Sequence, residues 1–166
     1  IGVDPYYLVH KAKELQYHTK MINSGRYVND SMGRYIGKKV VKKIISQGKN
    51  ILGAHVLVMG MTFKENVSDI RNSKVADIIN EFKDFGAEVD VMDPFASPLE
   101  VLQEYGIRLV ERPGKKYDAV VVAVAHTTYL KLDESYFMSI TNEHAVLADV
   151  KGVYRGSIHQ MIYWSL

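Results

Sequence analysis

At 166 residues and 18.8 kDa, the chain has room for one well-buried domain and an appended element, but not for two full domains. With 47% apolar and 24% charged residues it has the make-up of a globular protein, which excludes a disordered or fibrous one. A formal charge of +2 gives no argument for a nucleic-acid partner.

Asp4 and Pro5 pair a capping carboxylate with a residue favoured in the first helical turn, which predicts a helix through "YYLVHKAKEL". After a break near "QYHTK", a longer helix is predicted over Met21 to Gln47, with Val28, Met32, Ile36, Val40 and Ile44 at every fourth residue. Gly25, Gly33 and Gly37 weaken that helix by propensity but permit close approach of another helix. Two readings follow: packing against a partner chain, or an ordinary amphipathic helix lying on its own domain. The stretch "SQGKNILG" then punctuates the chain. Beyond it, apolar strands are expected at His55–Met59, Glu88–Met92, Ile107–Val110, Ala119–Val124 and Ala145–Val150. Helices are expected between them at 73–85, at 97–105 and within 128–140. Such repeated βα units predict an α/β fold: a Rossmann-like parallel sheet with helices on both faces, preceded by a long helical segment.

The chain contains no cysteine, and its six histidines (His10, His18, His55, His126, His144, His159) include no i, i+4 pair, so neither a thiolate nor a helical zinc site is expected. No apolar run approaches the roughly 20 residues needed to span a bilayer. The start "IGVDPYYLVHK" lacks the basic and long apolar regions of a signal peptide, so the expectation is a cytoplasmic protein with no membrane partner. Because the first residue is Ile and a helix signal follows at once, the chain is read as a piece of a longer protein.

In an open parallel sheet, ligands bind outside the carboxyl ends of the strands. Here those ends carry "MTFK" (61–64), "DPFAS" (93–97), "AHTT" (125–128) and "DVKG" (149–152). The segment "GMTFKENVSDIRNS" (60–73) connects a strand to a helix as in a nucleotide-binding βα unit, yet without the glycines that wrap a pyrophosphate. Lys64 is suited to a phosphate or sugar hydroxyl, and Phe63 to a ring; a solvated loop lysine is the alternative. Arg71 can clamp a phosphate near a helix start or pair with Asp69 or Asp77. His126 is read as structural or as a ligand donor, Lys151 carries the same ambiguity as Lys64, and Asp4 reads first as a helix cap. Lys38, Lys39, Lys42 and Lys43 form a solvated helix face.

Taken together, "IGVDPYYL" (1–8), "GRYVNDSMG" (25–33), "GMTFKENVSDIRNSKV" (60–75), "DVMDPFA" (90–96), "VAHTTY" (124–129), "LADVKGVY" (147–154) and "YWSL" (163–166) resemble, in this order, the C-terminal half of the UDP-sugar 6-dehydrogenases. The form "IGVDPYYL" is closer to the branch acting on UDP-N-acetylhexosamines than to the UDP-glucose branch. The resemblance implies a central helical, dimerisation region over residues 1–50 and a Rossmann-like UDP-sugar-binding domain over 51–166. It also implies an upstream NAD domain, with the family's catalytic cysteine directly before Ile1. The family reaction takes two hydrides from C6 of the sugar to NAD through a cysteine-bound thioester, giving a uronic acid for surface polysaccharide synthesis.

By that resemblance Asp4 is catalytic, orienting or deprotonating the attacking water or the substrate hydroxyl one helical turn from the cysteine. Phe63, Lys64 and Lys151 bind the UDP-N-acetylhexosamine, and Arg71 reaches the NAD. Lys151 stands where the UDP-glucose relatives carry an arginine. A homodimer through residues 5–48 is implied, and no metal. The isolated chain is expected to be inactive. A stand-alone nucleotide-sensing module, a rim that binds NAD itself and a UDP-glucose 6-dehydrogenase are the alternatives.

Overall fold

A computed structural model describes residues 4–166; the Ile1–Val3 portion of "IGVDPYYL", and the cysteine position expected before it, lie outside the described residues. Helix α1 (Asp4–Glu14) leads into α2 (Lys20–Ser46), and the sheet and its helices follow as β1 (His55–Met59), α3 (Val75–Asp84), β2 (Glu88–Met92), α4 (Pro98–Tyr105), β3 (Tyr117–Val122), α5 (Glu134–Ile140), β4 (Thr141–Asp149) and β5 (Ile162–Ser165). A single 3-10 turn at Tyr129–Lys131 precedes α5. The five strands lie parallel in the order β2-β1-β3-β4-β5. This is the expected Rossmann-like α/β architecture with its helical prefix.

Side chains alternate across each strand, so both faces of the sheet need cover. Val56, Val58, Ala119, Val121, Val146 and Ala148 meet Ile36, Val40 and Ile44 of α2, Ile79 and Phe82 of α3, and Val101 of α4. On the other face Leu57, Met59, Val120, Val122 and Leu147 meet Tyr129, Phe137, Tyr154 and Ile158. Each Val, Leu, Ile, Met or Phe side chain so enclosed contributes about 1.5–3 kcal/mol. Local signals fix the helix ends: Ser97 accepts the Glu100 amide at the start of α4, Gly106 closes it at φ 65°, and Asp133 accepts the Tyr136 amide before α5.

Helix α2 has two unlike halves. From Gly33 to Ile44 it is buried against the sheet and α3, whereas the part before Gly33 and all of α1 contain no buried residue. Gly33 and Gly37 are where α3 comes closest, since a Cβ on Gly33 would stand 2.6 Å from Asp77 Cβ and one on Gly37 2.8 Å from Glu81 Cβ. These two glycines therefore serve packing within the domain. The strand expected at Ile107–Val110 reduces to one parallel bridge between Leu109 and Val91, because the chain leaves the sheet edge at once through Glu111, Arg112 and Pro113. Strand β5, not anticipated, pairs with β4 at Val146–Ile162 and closes the opposite edge.

Candidate functional site

The strand order reverses between β1, whose chain moves out to β2, and β3, whose chain moves the other way to β4. The crevice above their carboxyl ends is where such a sheet accepts a ligand. The two exits are in close contact: Gly60 has φ 96°, and a Cβ there would lie 2.5 Å from Val124 Cβ and 2.8 Å from the Val124 amide nitrogen. Only glycine fits this position.

A buried carboxylate organises the loops above. The Asp93 side chain, at the end of β2, is fully enclosed. Its Oδ2 accepts the amides of Met61 (2.6 Å) and Thr62 (3.0 Å), and its Oδ1 accepts those of Phe95 (2.7 Å) and Ala96 (2.9 Å). His126 Nε2 lies 3.0 Å from the same Oδ2. Burial works against the charge on Asp93, but the His126 contact and the converging amides outweigh it and hold the carboxyl far below its ordinary range. On the far side of the imidazole, Nδ1 accepts the Asn66 amide at 3.0 Å. A nitrogen that accepts cannot also carry a proton, so the ring is the neutral tautomer protonated at Nε2. Asn66, at φ 59°, in turn accepts the Thr127 amide and hydroxyl through Oδ1 (2.9 and 3.0 Å).

Phe63 and Lys64 sit at the crest of this pinned segment. The Phe63 amide donates to Asp69 O at 2.7 Å, and Thr62 Oγ1 donates to Lys64 O at 3.0 Å, so the backbone is fixed while both side chains are exposed. Lys151 follows β4. Asp149, fully buried, accepts the Gly152 and Tyr154 amides (2.9 and 2.7 Å) and the Tyr163 hydroxyl (2.8 Å), which shapes the turn that presents Lys151. Lys151 Nζ reaches Glu65 Oε1 at 3.4 Å, so the exits of β1 and β4 share one lip.

Among the described residues, Arg71 and Asp4 make no hydrogen bond or ion pair with the side chains of Phe63, Lys64 or Lys151. Arg71 is exposed and forked onto Asp69, with Nε 2.9 Å from Oδ1 and Nη2 2.8 Å from Oδ2, which settles its partner as Asp69 rather than Asp77. The Arg71 side chain and amide hold the Asp69 carboxyl down at about 2. Together they line a cleft of about 480 Å³ bounded by Ser68, Glu100, Gln103 and Glu104, at the flank of α4. Asp4 is exposed in the first turn of α1 and has no hydrogen bond or ion pair to the rim among the described residues. Asp93, Asp149 and Asn66 went unassigned in the sequence. The usable signal was an aspartate directly after a buried strand and ahead of a turn rich in free amides.

A family model described as the UDP-glucose/GDP-mannose dehydrogenase family, UDP binding domain, matches residues 57–156. Among curated proteins, UDP-N-acetyl-D-glucosamine 6-dehydrogenase of Pseudomonas aeruginosa is 42% identical over 152 residues, covering 91% of this chain and 36% of its own length. Protein CapL of Staphylococcus aureus is 41% identical over 154 residues, 92% of this chain and 36% of its own. The chain thus spans about a third of the length of these relatives. Among solved structures, NDP-N-acetyl-D-galactosaminuronic acid dehydrogenase from Methanosarcina mazei Go1 superposes with a TM-score of 0.83 at 21% identity, over 98% of this chain and 36% of that one, a likeness of fold.

Proposed function

Since this chain belongs to the UDP-glucose/GDP-mannose dehydrogenase family, we propose that it holds the nucleotide-sugar of an NAD-dependent UDP-N-acetylhexosamine 6-dehydrogenase and performs no oxidation by itself. The observation that carries this reading is the contact of Lys151 with Glu65, which sets Lys151 on the same lip as Lys64 and Phe63. Two ammonium groups there neutralise a diphosphate, and the half-exposed Phe63 ring offers an apolar face to a base or sugar. Lys151 meets its ligand as a point charge, without the fork of an arginine.

NAD does not fit this chain as a cradle of its own. The close approach that Gly60 permits is occupied by Val124, and no glycine-rich turn follows β1. The part of the chain turned toward NAD is limited in this reading to Arg71, and that toward the reacting carbon to Asp4. A homodimer through residues 5–48 is supported by Tyr7, Tyr17, Met21, Tyr27 and Val28, all exposed on α1, its exit and the unburied half of α2.

Calorimetric titration with UDP and NAD in parallel tests the reading. UDP is expected to bind and NAD not to; a preference for NAD overturns it. No NADH is expected when the chain is incubated with NAD and UDP-N-acetylhexosamine, and turnover would refute the assignment of the chain as a substrate-binding part alone.

A further inference from the structure

We propose that His126 and Asp93 are positioning residues for nucleotide-sugar binding: as a neutral imidazole and a carboxylate they lock the turn that carries Phe63 and Lys64 before any ligand arrives. The inference rests on the UDP reading above for its functional consequence and on geometry alone for the lock.

The segment from Met61 to Asn66 is held at both ends by one buried pair. At its start Asp93 takes the Met61 and Thr62 amides, and at its end His126 Nδ1 takes the Asn66 amide. Between them, the only hydrogen on Thr62 Oγ1 goes to Lys64 O. Thr62 Oγ1 therefore meets His126 Nε2, 3.3 Å away, as an acceptor, and the Nε2 proton is shared between Thr62 and Asp93. Each donor and acceptor in the set then has a consistent direction, which a protonated or Nδ1-protonated ring would break. The ring is also clamped by apolar contact, with Phe95 at 4.8 Å and Tyr129 at 5.4 Å between centroids.

Loops at the ends of strands otherwise lose conformational freedom when they bind, and that cost reduces affinity. A turn fixed in advance avoids it. Because the lock joins the exits of β1, β2 and β3, it also keeps the Phe63 and Lys64 backbone in a constant relation to Thr127 and Phe95 on the neighbouring loops. His126 itself is fully buried and reaches no ligand, so its role is exerted through Lys64 and Phe63.

Two substitutions separate the arms of the lock. His126→Asn keeps an acceptor near Nδ1 and loses the donor to Asp93; His126→Gln keeps a donor toward Asp93 and loses the acceptor for Asn66. Ile44→Val, in α2 at the end of the sheet where Lys49 meets Asp118 at the start of β3, serves as a destabilised control away from the strand exits. Amide hydrogen exchange is expected to accelerate at Asn66 in His126→Gln, and at Met61 and Thr62 in His126→Asn, beyond any change in Ile44→Val. Imidazole nitrogen shifts in the unmodified chain are expected to report protonation at Nε2. UDP affinity is expected to fall by about tenfold in either His126 variant, the scale of one misplaced hydrogen bond, and to hold in Ile44→Val. Exchange at these three amides no faster than in the control, or an Nδ1-protonated ring, overturns the lock. Loosened amides with unchanged UDP affinity overturn its role in binding. If the unmodified chain fails to bind UDP, the ligand assignment falls together with that role, while the exchange data still decide the lock.

Discussion

Lys151 Nζ lies 3.4 Å from Glu65 Oε1, a bond across the rim between the loop that leaves β4 and the loop that leaves β1. Hydrogen bonding by its own backbone amide, aided by Lys151 and opposed by burial, holds the Glu65 carboxyl below its ordinary range. Both partners are partly solvated, at 56% and 30% exposure, so the pair adds little to stability. Its consequence is for binding, because Glu65 occupies the charge that a phosphate would take. Glu65→Gln is expected to leave the urea midpoint unchanged and to raise UDP affinity severalfold at low salt. A fall in affinity by titration calorimetry would show that Glu65 holds Lys151 in place rather than competing for it.

Lys64 has its backbone fixed and its side chain in solvent. Lys64→Ala is therefore expected to cost UDP affinity about tenfold or more, as loss of a charged hydrogen bond does, with no change in thermal midpoint. Arg71, forked onto Asp69 at the flank of α4, should be separable from it: Arg71→Ala leaves UDP affinity within about twofold on the scale of a surface charge outside the contact. Equal losses in the two variants would place the diphosphate at the Arg71 cleft instead.

The sheet was largely legible because its strands are short apolar runs with turns between, as at His55–Met59, found as expected, and at β3, found at Tyr117–Val122 where Ala119–Val124 was expected. Two edges were not. Ile107–Val110 has the apolar pattern of a strand, but Pro113 and Gly114 turn the chain away after one bridge. Ile162–Ser165 is too short for a period to show, and its pairing with β4 is a long-range contact. At the rim, the cations and the ring could be picked out as exposed groups on strand-to-helix turns. His126 was picked out as structural or as a ligand donor, but its hold on Asn66, like that of Asp93 on Met61 and Thr62, runs through amides distant in the chain. The nearby amides taken by Asp149, and by Asp93 at Phe95 and Ala96, left only the local signal of an aspartate ending a strand. Arg71 was legible as a phosphate clamp or as a partner of Asp69 or Asp77, and the fork distinguishes between the two aspartates.

Asp30 joins three elements: it accepts the Tyr6 hydroxyl of α1, pairs with Arg26 one turn away at 3.0 Å, and meets Lys74 at the start of α3 at 3.0 Å. The Tyr6 hydrogen bond first, then Lys74, bring its carboxyl down to about 2 from an ordinary 3.8. A carboxyl depressed in the folded state stabilises fully above its unfolded value and loses that contribution as pH falls toward the folded one. The junction should therefore persist above pH 3.8 and fail progressively on the way to about 2. With a third of the side chain exposed, the contribution is under about 1 kcal/mol. Since α1 buries nothing, Asp30→Asn is expected to speed amide exchange in α1 at neutral pH while leaving the urea midpoint of the sheet in place. Unchanged protection in α1 would mean that the helix is held by other contacts.

The glycines of α2 make a graded test of how closely that helix lies on α3. Gly25 meets nothing within 4 Å, so Gly25→Ala should gain the helical propensity difference, about 0.8–1 kcal/mol. At Gly33 an added Cβ would stand 2.6 Å from Asp77 Cβ and 2.9 Å from Lys74 O, and neither atom can yield without moving α3. Gly33→Ala is expected to lose about 1–3 kcal/mol by overpacking, outweighing the same propensity gain. Gly37 meets Glu81 Cβ and Cγ at 2.8 Å, and because Cγ can swing aside, Gly37→Ala should fall between the other two. Urea denaturation of the three variants reads the order directly. If Gly33→Ala matched Gly25→Ala in stability, α2 and α3 would have to lie farther apart in solution than the structure places them, and the helical prefix would be a mobile arm on the sheet domain.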